Sequence, residues 1–233
     1  MSKEPIVYHL KPTKLIPNSH YTLLHYKGMF PVVDGKADTG AVFDRFVSNG
    51  WETQWVARYG PSQPSHYHPE AHECMAVITG PGIIRFGVAD LDEDWKKNTY
   101  GAAYEDDGIL LLAEAGDAFI IPSGVAHKSF DPTPGASHAV LTGDAHSVDG
   151  DDPRAAVKAA LVSGFTMMGA YPNGYKWTWA EGGHHEGTYE KVWSVPKPKC
   201  DPFVGEDGGL LEHWKGPSAI DTYRALQENS PKI

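Results

Sequence analysis

Glycine and proline interrupt this chain so often that it reads as a succession of short pieces: 25 glycines and 18 prolines are spread through 233 residues. Such punctuation, falling between short runs of apolar and aromatic residues, suits an all-β domain. Ile6-Val7-Tyr8 and Tyr21–Tyr26 are strand-like, with a turn at Pro17-Asn18 between them. Trp51–Tyr59, Cys74–Thr79, Ile83–Val88, Ile109–Ala113, Ala118–Ile121 and Ser137–Thr142 read as further strands. Gly80-Pro81-Gly82 and Glu114-Ala115-Gly116-Asp117 are the turns that pair four of them.

Helical signals are few. Ala41–Ser48 is a short helix closed by Asn49-Gly50. Asp152 followed by Pro153 is an N-cap with proline at the first helical position, and predicts a second helix over Arg154–Val162. Ala89–Asp107 is polar and acidic and reads as a surface excursion. From Gly164 onward the chain is loop-rich, and Trp177, Trp179, Trp193 and Trp214 suggest a tail packed onto a body. The expected organisation is one domain over 1–233, with a barrel core at about 40–145, an N-terminal arm 1–39 and a C-terminal extension 146–233.

Composition removes several function classes. Lysine and arginine total 20 against 30 acidic residues, a formal net charge of -10 with no basic run, so nucleic acid is not an expected partner. No apolar stretch approaches the ~18 residues of a membrane span. Met1–Pro5 leads into a strand-like run without a signal-peptide apolar region. Cys74 and Cys200 are too few for a disulfide framework, so a reduced, cytoplasmic protein is expected.

The twelve histidines matter for where they sit. His66 and His68 stand two apart, and in a strand such residues point to one face. Pro69 bends the chain, and Glu73 can return a carboxylate to the same spot, with Met75 and Val77 on its face. His127 follows Pro122-Ser123-Gly124, a turn able to aim it inward from a second hairpin. Three imidazoles and one carboxylate suit a divalent transition metal ion: Fe, Mn, Ni, Zn, Co or Cu. On an octahedral ion they leave two positions for water, substrate or dioxygen. Strand alternation favours Glu73 over His72 as the fourth ligand, which leaves His72 as a surface or interface histidine.

These two segments resemble the cupin motifs G-x5-H-x-H-x4-E-x6-G and G-x5-P-x-G-x2-H-x3-N. The first matches at Gly60, His66, His68, Glu73 and Gly80, the second at Gly116, Pro122, Gly124 and His127. Asp131 stands where the second motif has Asn, a position that is not a ligand in the family. Weaker landmarks, among them Ile16-Pro17-Asn18, Asn49-Gly50-Trp51 and Gly169-Ala170-Tyr171-Pro172, are similar to a little-characterised group of bacterial and fungal single-domain cupins. The resemblance implies a double-stranded β-helix, or jelly-roll, barrel. It implies His66, His68, Glu73 and His127 as metal ligands. Exposed sheet edges and the arms suggest a homodimer.

Other residues have both a site reading and a plainer one. Gln54, Arg58 and Tyr59 either reach the cavity or face away from it. Arg85 should point away from the face shared by Ile84 and Phe86. Ser129 shares the face of His127 and can donate to it, while His138 and Thr142 share a face that lines the barrel or stays partly exposed. His184-His185-Glu186, flanked by glycines, reads as a mobile loop, and Cys74 as a buried thiol. The expected function is a metal-binding protein acting on a small molecule. By analogy with oxygen-using cupins it is first a dioxygenase-type oxidoreductase, with Met75, Val77, Phe119 and Ile121 as the water-excluding wall. A redox-neutral isomerase or lyase, or a barrel that holds metal or a small ligand without turnover, are the alternatives; fold alone does not choose among them.

Overall fold

A computed structural model describes residues 4–148 and 150–215; the end of the expected extension, 216–233, lies outside them. The strands are β1 (Ile6–Tyr8), β2 (Leu23–Tyr26), β3 (Val32–Val33), β4 (Lys36–Ala37), β5 (Trp51–Arg58) and β6 (Glu73–Thr79). They continue as β7 (Gly82–Phe86), β8 (Ile109–Ala113), β9 (Ala118–Ile121), β10 (His127–Phe130), β11 (Ala139–Val140) and β12 (Thr166–Pro172). The helices are α1 (Thr39–Ser48), α2 (Trp95–Tyr100), α3 (Pro153–Ala159), α4 (Tyr189–Trp193) and α5 (Leu210–His213). A seven-stranded sheet has the order β1-β2-β9-β6-β12-β5-β11, and a three-stranded sheet the order β10-β7-β8. Every pairing in both is antiparallel, an arrangement consistent with a jelly roll.

The two faces of β6 show how the core is divided. Met75 and Val77 enter an inner cluster with Phe119 and Ile121 of β9 and with Ile84 and Phe86 of the smaller sheet. Cys74, Ala76 and Ile78 enter an outer cluster with Val42 and Phe46 of α1 and Phe203, Leu210 and Trp214 of the C-terminal stretch. All seven residues of β6 are buried. A strand covered on both faces gains nothing from polar alternation, which is why β6, β9 and β12 read as near-continuous apolar runs. At about 1.5–3 kcal/mol for each large apolar side chain buried, this double-sided packing dominates what holds the sheets together.

The helix caps follow the sequence. Asp38 accepts from the Ala41 amide at 2.9 Å and starts α1 two residues earlier than expected. Asp152 does the same for α3 through Ala155, also at 2.9 Å, although α3 stops at Ala159, short of Val162. Among the described residues, no helix is long and apolar enough to cross a membrane.

Three expectations change. The turns at 80–82 and 114–117 do not close hairpins: β6 and β7, and likewise β8 and β9, lie in different sheets, so each turn carries the chain from one sheet to the other. The core is not confined to 40–145. β2 from the arm pairs with β9, and β12, from the stretch read as a loop-rich tail, lies between β6 and β5. Thr166–Pro172 is buried at six of its seven positions. A short apolar run without period does not reveal itself as a central strand by periodicity. The excursion 89–107 is also more than a surface loop: it covers the outer face of the smaller sheet. Arg85 leaves the Ile84/Phe86 face as expected, yet it is buried. There it pairs with Asp90, donates to the Asn98 carbonyl at 2.8 Å and lies 3.8 Å over the Tyr104 ring.

Candidate metal centre

Backbone pairing brings the two histidine segments together. His66 and His127 form an antiparallel bridge, the His66 amide donating to the His127 carbonyl at 3.1 Å and the return bond measuring 2.8 Å. On its other side the segment is bridged from Tyr67 to Ala180, with bonds of 2.8 and 3.0 Å. Gly124, at φ 84°, turns the chain ahead of β10, and its amide donates to the His68 carbonyl at 3.0 Å. A Cβ there would meet the Asn18 carbonyl at 2.5 Å, so glycine is required both by conformation and by space.

His66, His68 and His127 form a buried cluster whose ligand-capable atoms lie within 4.8 Å of one another, an arrangement able to hold a metal ion. Each imidazole is oriented by its other nitrogen. Nδ1 of His66 lies 3.1 Å from the Pro64 carbonyl, Nδ1 of His68 2.9 Å from the Thr178 carbonyl, and Nδ1 of His127 3.2 Å from the Val125 carbonyl. A carbonyl only accepts, so each Nδ1 carries a proton, and Nε2 is the atom that each ring leaves for the centre. A metal asks the same of a histidine ligand. Burial, followed by the imidazoles of His127 and His68, holds His66 well below the ordinary histidine range, so it stays neutral.

Glu73 closes the group. Its Oε1 lies 3.4 Å from His68 Nε2 and its Oε2 lies 3.1 Å from His127 Nε2. Burial alone would raise its pKa, but the neighbouring His68 and His127 outweigh it and hold the carboxyl well below the usual range. Among the described residues Oε2 has no well-directed hydrogen-bond partner, although it is buried. A carboxylate oxygen 3.1 Å from an imidazole lone pair is repulsive unless positive charge lies between them or the ring takes a second proton. The donor set and this orphaned oxygen therefore both fit a bound cation. Tyr171 of β12 fixes the other oxygen: its hydroxyl donates to Glu73 Oε1 and accepts from Trp55 Nε1 at 3.2 Å.

His66, His68, Glu73 and His127 form the floor of a cavity of about 110 Å³ that opens to solvent past Val140 and Trp179, 42% and 40% exposed. Its walls are aromatic: Trp55, Tyr59, Tyr171, Trp177 and Trp179. Trp179 stacks on His66, ring centroids 3.6 Å apart and planes 7° from parallel. Met75, Val77, Phe119 and Ile121, expected as the wall, lie beneath it in the inner core. Tyr59 and His138 line the cavity. Gln54 does not: it is buried and donates to the Tyr175 carbonyl at 2.8 Å. Arg58 turns away to Ser137 and Ser163. The Thr142 hydroxyl accepts from the Val56 amide at 3.0 Å, and among the described residues the Ser129 hydroxyl has no hydrogen-bond partner and does not reach His127.

His72 is not at the surface. It is buried against Tyr21 and Trp214, and its Nδ1 accepts from the Ser123 amide at 2.9 Å. Alternation does turn it away from Glu73, but the C-terminal stretch covers the face it turns to. His185 Nδ1 lies 2.8 Å from the Tyr67 hydroxyl, which ties the glycine-flanked loop to the histidine segment. Tyr171, Trp55, Trp177 and Trp179 are the site residues that sequence reasoning missed. The alternation Trp177-Thr178-Trp179 was their one available signal, since it puts two indoles on one face.

No protein-family model matches the sequence. The chain is 24% identical over 217 residues to an uncharacterised protein, YjlB, of Bacillus subtilis (strain 168), covering 92% of this chain and 99% of that protein. Among solved structures, RmlC from Streptococcus suis, determined in complex with dTDP-D-xylose, aligns with 94% of this chain and 98% of that one, at 10% identity and a TM-score of 0.33.

Proposed function

We propose that this chain is a cupin that holds one divalent transition metal ion with His66, His68, Glu73 and His127, and that it acts as a dioxygenase-type oxidoreductase on a small organic molecule. The observation that supports the metal most directly is the buried cluster of three imidazoles, each with its Nδ1 on a carbonyl at 2.9–3.2 Å, with the Glu73 carboxylate 3.1 and 3.4 Å from Nε2 of His127 and His68. A metal held there supplies a Lewis-acid centre and, where it is iron, nickel or copper, a redox centre. The chain's own residues do the rest. Tyr171 holds the Glu73 carboxylate, Trp179 fixes the plane of His66, and the aromatic walls limit water at the floor.

Elemental analysis of the purified protein, followed by dioxygen uptake with phenols, diketones and thiols, tests this reading. Iron, nickel or copper near one equivalent, with substrate-dependent uptake, supports it. Zinc or manganese without uptake favours the redox-neutral isomerase or lyase. That second reading draws on His138, a cavity residue that burial, then Arg58, holds below the ordinary histidine range and so keeps available as a base. A cytoplasmic homodimer belongs to the same proposal. Two unpaired cysteines support the compartment, and Leu110 and Leu112, exposed on the edge strand β8, support the dimer; a mass by light scattering checks it.

A further inference from the structure

The cavity above the histidines has a chemistry of its own, and we infer that it takes a planar, mostly apolar single-ring molecule carrying one or two oxygen donors, and that it excludes phosphorylated ligands and sugars. The inference rests on the metal reading, because the ring's oxygen would face the ion's position.

Size comes first. An apolar cavity of about 150 Å³ accommodates benzene. A space of about 110 Å³ that is open at its mouth is on the scale of one ring, with the remainder of the molecule reaching solvent. Shape comes next. Trp55, Tyr59 and Tyr171 stand on one side, on β5, its continuation and β12, while Trp177 and Trp179 stand on the segment that bridges Tyr67. The two outer indoles are held rather than loose. Trp177 donates from Nε1 to the Ala145 carbonyl at 2.8 Å and is backed by the His146 ring, 4.1 Å away and 17° from parallel. Trp179 donates from Nε1 to Glu181 at 2.8 Å. Fixed ring faces favour a flat partner beyond what the buried area alone gives.

Polarity decides against the other classes. Among the described residues that line the cavity, none is lysine or arginine, and the one acidic group is Glu73. A phosphate or nucleotide would bring two or more negative charges to a wall with no cation besides the metal. A sugar would bring four or five hydroxyls. The polar side chains available to meet them are largely committed: Tyr171 to Trp55 and Glu73, and Gln63 Oε1 to the Ser129 amide at 2.8 Å. Each hydroxyl left unpaired keeps its full desolvation penalty, which one stacked face does not offset.

The test uses the full chain loaded with Co²⁺, its metal content fixed by elemental analysis, and reads ligand binding by tryptophan fluorescence and by the Co²⁺ absorption bands. The probes are phenol, cyclohexanol as a size-matched non-planar alcohol, and glucose 1-phosphate. The expected result is phenol tighter than cyclohexanol by about 3–10-fold, the range of a stacking preference, with no binding of glucose 1-phosphate. In W179A, brought to the same Co²⁺ occupancy with added Co²⁺ because the variant also frees the His66 ring, phenol affinity should fall to about that of cyclohexanol. Equal affinity for phenol and cyclohexanol, or binding of glucose 1-phosphate as tight as phenol, on a Co²⁺-loaded protein overturns this inference and leaves the metal reading intact. A phenol preference in a protein that takes up no Co²⁺ supports the ring-shaped cavity and overturns the metal reading instead.

Discussion

The segments 64–73 and 122–130 differ from the segment 166–180 in what they give the site. The first two supply every atom that faces the centre: three imidazoles and a carboxylate. The third supplies none of these, yet it orients three of the four. The Thr178 carbonyl accepts from His68 Nδ1, Tyr171 clamps Glu73, and Trp179 lies flat on His66. His127 is held from its own segment, through the Val125 carbonyl, and His66 also has such a contact, through the Pro64 carbonyl. Identity of the donors and their orientation are thus carried by different stretches of chain. Outer-sphere partners of this kind typically change metal affinity by 10–100-fold when removed. The difference between the segments is therefore measurable.

The largest effect should come from the donor side. H68A removes one lone pair from the centre and should abolish stoichiometric metal, a loss above about 100-fold and beyond the range of an orienting partner. Elemental analysis after dialysis against a weak chelator reads it. Full occupancy in H68A would show that His68 is not a ligand.

A backbone change on the orienting side should come next. Gly169 sits in β12 against the Trp55 indole, and a Cβ there would lie 2.1 Å from the ring carbons. Trp55 is in turn bonded to the Tyr171 hydroxyl, so moving the indole disturbs the Glu73 clamp. G169A should destabilise the fold by about 3 kcal/mol, the upper end of the overpacking range, and weaken metal binding as well. Urea unfolding of the metal-free protein separates the two effects; an unchanged midpoint would mean that the indole has room to shift. Smaller again, Y171F removes one hydroxyl at constant shape. It should weaken metal binding by about 10–100-fold without moving the unfolding midpoint by more than about 1 kcal/mol. A change in stability without a change in affinity would make Tyr171 a packing residue only.

The same contrast governs how far the site could be read from sequence. The donor segments were legible because His66 and His68 obey a period of two, and because the turns that aim Glu73 and His127 need Pro and Gly at fixed offsets. Strand boundaries such as β6 and β9 were legible for a similar reason, since turn residues bracket them. β12 was not. Thr166–Pro172 is apolar on both faces because both faces are covered, and a run of that kind carries no period to distinguish it from tail. Tyr171 therefore appeared only as a residue in a landmark, with no role attached. His72 shows the limit of alternation: the rule gave its face correctly, but exposure depends on Trp214, more than a hundred residues away in sequence.

The smallest expected effect lies at the seam where the arm meets the donor segments. Asp117, at the start of β9, accepts from the Gly28 amide at 2.7 Å and from the Glu114 amide at 3.2 Å, and lies 3.2 Å from His25 Nε2. Burial alone would raise its carboxyl, but these bonds, His25 first, outweigh it and hold the pKa below the ordinary 3.8. A carboxylate whose pKa is lower folded than unfolded stabilises the fold at pH above the unfolded value, and that contribution disappears as pH falls through the lower folded one. D117N keeps the shape and the Gly28 bond but turns an N–H toward a donor, so it should cost about 1 kcal/mol at pH 7. Its deficit relative to the parent should shrink by pH 3, where the parent begins to lose the charge too. Urea midpoints at both pH values measure this. A deficit of equal size at pH 7 and pH 3 would mean that the N–H turned toward the Glu114 amide, not the lost charge, sets the cost; the arm's other tie to the sheet, the His25 ring stacked on Phe119 with 4.3 Å between centroids, is the same in both proteins.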